Sequence, residues 1–167
     1  ERERQYKDYK DRKGDILNGT VKQIEFGNII VDVGRTEAIL ERSQQIRGEV
    51  FQVGDRIKSY VQDVRREEKG AQIFLSRTDG NFLRKLFEME VPEIYDNLIE
   101  IKEVAREPGS KAKIAVFTHD VSIDPVGSCV GVRGSRVGSV TNELSGEKID
   151  VIKWDQNVAQ FIINAMT

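Results

Sequence analysis

The sequence predicts an α+β protein of two small domains: a five-stranded β-barrel of the OB type, then a unit mixing helices with three strands. Three observations carry that prediction. Short runs rich in β-branched residues, punctuated by glycine, occupy the stretch from Gly14 to Arg77. Helical spacing takes over at "FLRKLFEM", residues 82–89. A chain of 167 residues, 38% apolar and 32% charged, suits two small cores better than one large one. The expected organisation is a charged opening over 1–13, the barrel over 14–80, a linker helix over 81–91 and the second domain over 92–167.

The opening "ERERQYKDYKDRK" alternates in charge, with Tyr6 and Tyr9 as its only packing groups, and reads as a solvated helix or linker. Barrel strands are expected in "DILNGTVKQIE", "NIIVDVG", "TEAIL", "RIKSYVQDVRRE" and "AQIFLSR", with one helical turn in "ERSQQIRGE". Five short strands with tight turns and one helical connection fit a small Greek-key barrel. Phe82, Leu83, Leu86 and Phe87 then share one helical face. Pro92 opens a second helix expected to bury Ile94, Tyr95 and Leu98. Two strands, "IEIKEVARE" and "AKIAVFT", flank a turn at Pro108-Gly109. Asp124-Pro125 caps a short helix to Val130, and Ser135 is the expected cap of the next, which Gly146 ends. "KIDVIKW" is a strand, after which Asp155 caps a final helix with Val158, Phe161, Ile162 and Ala165 inward.

Composition narrows the function. One cysteine and one histidine exclude an internal disulfide and a zinc site of the Cys/His kind. No apolar run approaches the roughly 20 residues of a membrane helix. The economy of cysteine points to the cytoplasm. No signal peptide is visible, and a first residue Glu1 with an abrupt end suggests a cut from something longer. The net charge of −2 means that any polyanion must be met by a local patch.

The glycine-rich stretch "GVRGSRVG", residues 131–138, is the candidate patch. No two glycines stand two apart, so the dinucleotide fingerprint G-x-G-x-x-G is absent. The one pair spaced for a phosphate-binding P-loop, Gly14 and Gly19, is followed by Thr20 and Val21 rather than Lys-Ser/Thr. A single G-x-x-G remains, Gly131 to Gly134, between two helices. It reads as a nucleic-acid clamp or as a tight turn with incidental arginines. Glycines let a sugar–phosphate backbone approach the main chain, and the next helix offers unpaired N–H groups. No acidic residue lies between Asp124 and Glu143, whereas Arg133 and Arg136 do.

The stretch "IDPVGSCVGVRGSRVGSVTNELSGEKIDVIKW" resembles a KH domain, whose G-x-x-G loop holds about four nucleotides. Two strands before the loop and one after it resemble the bacterial, type II arrangement. "GTVKQIEFGNIIVDVG", "FQVGDRIKSYVQDV" and "GAQIFLSR" resemble the RNA-binding barrel of ribosomal protein S-one. Together the two halves are similar to a bacterial family of transcription elongation, termination and antitermination factors. The resemblance implies a fragment that binds nascent single-stranded RNA at RNA polymerase, alongside other elongation and antitermination factors. It implies a monomer with no enzymatic activity and no cofactor.

Carried residue by residue, the resemblance assigns the RNA backbone to Gly131, Val132, Arg133, Gly134, Ser135 and Arg136. Base edges fall to the main chain of Ile149, Asp150 and Val151, and a phosphate to Lys153. On the barrel, Phe26 matches the family's exposed aromatic, with Lys22 and Arg77 as flanking cations. Ile29 or Ile30 stands where a second aromatic is usual, which weakens that surface. Cys129 and Trp154 read as packing residues, and His119 lacks a partner nucleophile. Two other readings stand beside this one: an accessory module of an RNA-degrading complex, and a protein-interaction scaffold with little RNA affinity.

Overall fold

The computed structural model describes residues 1–166. They form two compact units, one from Glu1 to Phe82 and one from Leu83 onward. No helix among the described residues is long and apolar enough to cross a membrane.

In the first unit, helix α1 (Arg2–Tyr9) precedes five strands: β1 (Ile16–Glu25), β2 (Asn28–Asp32), β3 (Glu37–Leu40), β4 (Arg56–Val64) and β5 (Ile73–Ser76). They close in the order β1-β2-β3-β5-β4, with β3 and β5 parallel and β4 returning to β1. This is the OB barrel that the strand pattern predicted. Alternation sets its core: Ile29 and Val31 of β2, Ala38 and Leu40 of β3, Ile57 and Val61 of β4, all buried. The charged opening is helical but not wholly solvated. Tyr9 is buried in the barrel core, and Arg2 donates through Nε to the Glu67 carbonyl at 2.9 Å.

The second unit holds the remainder of α2 (Gly80–Glu90), then α3 (Pro92–Tyr95), β6 (Glu100–Glu107), β7 (Lys111–Phe117), α4 (Pro125–Val130), α5 (Ser135–Glu143), β8 (Lys148–Lys153) and α6 (Val158–Met166). Its sheet runs β6-β7-β8. The first pair is antiparallel and the second parallel, from Lys111↔Lys148 to Val116↔Lys153. A parallel last strand needs a crossover, and the α4–α5 pair supplies it. Ile114, Val116, Cys129, Val140 and Leu144 form its buried interior.

Four expectations are corrected. Tyr95 and Leu98 are exposed; α3 ends after one turn, Asn97 takes φ 63°, and burial passes to Val91 and Ile99. Ser135 is the first residue of α5, whose N-cap is the left-handed Gly134 without a side-chain cap. Asp155 accepts from the Asn157 N–H, and Asn157 itself caps α6 by accepting from Gln160 N at 3.1 Å. On α6, Phe161 and Ala165 are half-buried, but Val158 and Ile162 are exposed. The cause is polar. Asn164 Nδ2 donates to the Lys153 carbonyl at 3.1 Å and Lys113 Nζ to the Ala165 carbonyl, so this edge, not the apolar stripe, meets the sheet.

Candidate nucleic-acid interface

The site grows from the α4–α5 turn. Asp124 accepts from Gly127 N at 3.1 Å and caps α4, with Pro125 in its first turn. Gly131 then takes φ 79°, where an added Cβ would lie 2.9 Å from Arg136 N, so both the conformation and the close approach require glycine. Arg133 and Gly134 also hold positive φ, 55° and 74°. Three positive-φ residues in four turn the chain sharply and leave Val132 81% exposed, with Arg133 exposed beside it. The uncapped start of α5 adds N–H groups to the same end, a natural seat for an anionic oxygen.

Beside the loop a groove of ≈ 500 Å³ runs along β8. Val130 and Val137 line it, as does the whole run from Ile149 to Lys153. The strand is at the edge of its sheet, so one of its sides carries no strand partner among the described residues. Main-chain groups of Ile149 and Val151 there can meet base edges, whereas those of Asp150 turn towards β7, in step with Lys148 N and Trp154 N, which donate to the Ser110 and Val116 carbonyls. Lys153 is exposed at the far end.

Arg136 is the exception within this set. Its Nη1 donates to the Ser128 carbonyl at 2.7 Å and to both oxygens of Glu93 at 3.3 Å. Burial opposes ionisation of Glu93. Its own N–H, the Arg136 guanidinium and Ser128 outweigh that and hold the carboxyl below the ordinary glutamate range. Arg136 therefore fastens the loop from beneath, its charge already countered. Sequence could not show this, because Glu93 lies 43 positions away.

The barrel residues do not assemble into one site. Phe26 and Gly27, with φ 54° and 84°, form the two-residue turn between β1 and β2. Phenylalanine is a poor choice there, yet its ring is 99% exposed. Phe26→Asn, better suited to a left-handed turn, is expected to stabilise the barrel by about 1 kcal/mol; urea unfolding checks it. Lys22 is held by an ion pair with Glu37, which raises its pKa. Arg77 is corrected outright. It is 2% exposed, paired to both oxygens of buried Glu49 at 2.8 Å and set against the Phe51 and Phe82 rings. A guanidinium so enclosed meets no phosphate.

The potential nucleophile is inert: Cys129 is fully buried, and desolvation first, then Glu93, pushes its thiol up to about 12. His119 sits edge-on to Phe117, with ring centroids 4.7 Å apart. Trp154 is half-buried and packs edge-on to Phe117 as well, under the Lys102 ammonium.

Comparison with known proteins agrees with both halves. Residues 10–76 match the S1 RNA binding domain, and residues 77–154 the NusA-like first KH domain. Curated relatives match nearly the whole chain. "Transcription termination/antitermination protein NusA" of Rickettsia prowazekii is 66% identical over 99% of this chain and 33% of its own length. The protein of the same name from Bacillus subtilis is 46% identical over 97% of this chain and 44% of its own length. The chain thus spans between a third and a half of these relatives. With the same two domains in the same order and identity sustained across both, the chain belongs to the NusA family.

Proposed function

We propose that this chain is the part of a bacterial transcription termination/antitermination factor that holds nascent single-stranded RNA at RNA polymerase. The observation that carries this reading is a groove lined by the edge strand β8 and by Val130 and Val137, which flank the Gly131–Gly134 turn on either side. The turn suits a sugar–phosphate backbone, and the strand edge suits unstacked bases. The names of the relatives add the setting, transcription termination and antitermination; in our reading the chain acts in the cytoplasm and modulates pausing as well. The role is binding rather than catalysis, consistent with a buried, protonated Cys129. Monomeric action fits a groove built within a single chain.

Domain order favours this over an accessory module of an RNA-degrading complex, since both family matches run in the order of the NusA relatives. The test is fluorescence anisotropy with short single-stranded RNAs at two salt concentrations. Lys113 and Lys153 line the groove and Arg133 is exposed on the turn beside it, so few phosphates can be neutralised. The logarithmic salt slope should therefore be shallow, about −0.7 for each phosphate neutralised. Binding without salt dependence, or none at all, would favour the scaffold reading.

A further inference from the structure

The groove along β8 has a second wall. Opposite Val130 and Val137 it is lined by Asn164 and Ala165 of α6. This helix is fastened at the groove by polar bonds: Asn164 Nδ2 to the Lys153 carbonyl at 3.1 Å, and Lys113 Nζ to the Ala165 carbonyl. The Asn164 amide is also oriented from its own helix, because Gln160 Nε2 donates to its Oδ1 at 2.9 Å. Turning the amide over would set its oxygen against the Lys153 carbonyl and lose that bond, whereas Gln160, itself an amide, can turn with it; the Lys153 carbonyl therefore sets the order of donor and acceptor along this edge.

That fixed order matters to a nucleobase. Cytosine presents an amino donor beside a ring-nitrogen acceptor; uracil, of equal size, presents a carbonyl acceptor beside a ring N–H donor. A freely turning amide would serve either. A held amide distinguishes them.

We propose that α6 is a working wall of the groove and that Asn164 is a specificity-determining residue, contacting the edge of a base that lies along β8. This role presupposes RNA in the groove, as in the function proposed above. Asn164 acts on choice of base, whereas the Gly131–Gly134 turn acts on the backbone of any sequence. Ala165 next to it is apolar, and the Lys113 ammonium at the Ala165 carbonyl is a donor only, so the amide is the side chain on that wall that offers both a donor and an acceptor.

The test uses the full 167-residue chain and fluorescein-labelled rC10 and rU10, followed by anisotropy. The two Kd values should differ by about tenfold in the wild type, the scale of one well-placed pair of hydrogen bonds. In Asn164→Ala the ratio should fall towards one. Gln160→Ala keeps the Lys153 bond that orders the amide, and should leave the ratio near the wild-type value. In ¹H–¹⁵N spectra the Asn164 side-chain amide should shift on addition of the tighter probe. The proposal is overturned if wild type does not discriminate. It is likewise overturned if Asn164→Ala leaves the ratio unchanged or weakens both probes equally, the mark of a helix that only packs. Failure of the wild type to bind either probe sinks the RNA-binding reading itself, and is distinct from binding without discrimination.

Discussion

Glu147→Ala is expected to destabilise the second unit by about 3–5 kcal/mol, the usual result of leaving a buried charge without its partner. Glu147 is fully buried and meets Arg106, itself 3% exposed, through two bonds of 2.8 and 3.0 Å. It also accepts from Gly109 N at 2.7 Å. One carboxylate, on the residue just before β8, thus ties the β6–β7 turn to the strand that floors the groove. Removing it strands a guanidinium and an amide N–H together. Small domains have only about 5–15 kcal/mol in all, so the loss takes a large share of the total. Urea unfolding followed by Trp154, the chain's one tryptophan, reads this unit alone. Arg106→Met combined with Glu147→Leu should recover most of the loss, because replacing both members of a buried pair with apolar groups is often near neutral. If Glu147→Ala unfolds like wild type, water must reach the pair and the knot is not what fixes β8.

Much of this architecture is legible in the sequence because it is written at short range. Alternation in "NIIVDVG" needs only neighbouring residues, and Ile29 and Val31 are buried as the pattern requires. The cap at Asp124 and the positive-φ demand at Gly131 are equally local. What fails is whatever depends on register across long separations. Arg77 reads as a surface cation until Glu49, 28 positions away, is seen to enclose it. Arg136 reads as a clamp until Glu93 takes its guanidinium. Apolar spacing in α6 points to a buried stripe at Val158 and Ile162, but Asn164 settles which side meets β8. In each case a polar side chain with a distant partner overrides the pattern. An arginine in sequence is a charge; whether it is already paired is a property of the fold.

Val132→Asp combined with Arg133→Asp should weaken binding to short single-stranded RNA by about tenfold to a hundredfold near 0.1 M salt, while the chain stays folded. Folding should survive for specific reasons. Val132 is 81% exposed, so nothing is lost from the interior. Arg133 occupies φ 55°, where aspartate is among the better tolerated residues. Gly131, Gly134 and the Arg136–Glu93 fastening are untouched. RNA affinity should fall because a cation is lost and two carboxylates now face the phosphate path. The salt slope should also shrink by about 0.7 for the contact removed, a signature that misfolding would not mimic. Circular dichroism and Trp154 fluorescence serve as the folding control. Equal binding by wild type and variant would move the RNA to the barrel, where the outward ring of Phe26 at a strained turn is the next surface to test. The variant therefore separates two sites as well as testing one: only a loss with the fold intact assigns the backbone clamp to the Gly131–Gly134 turn.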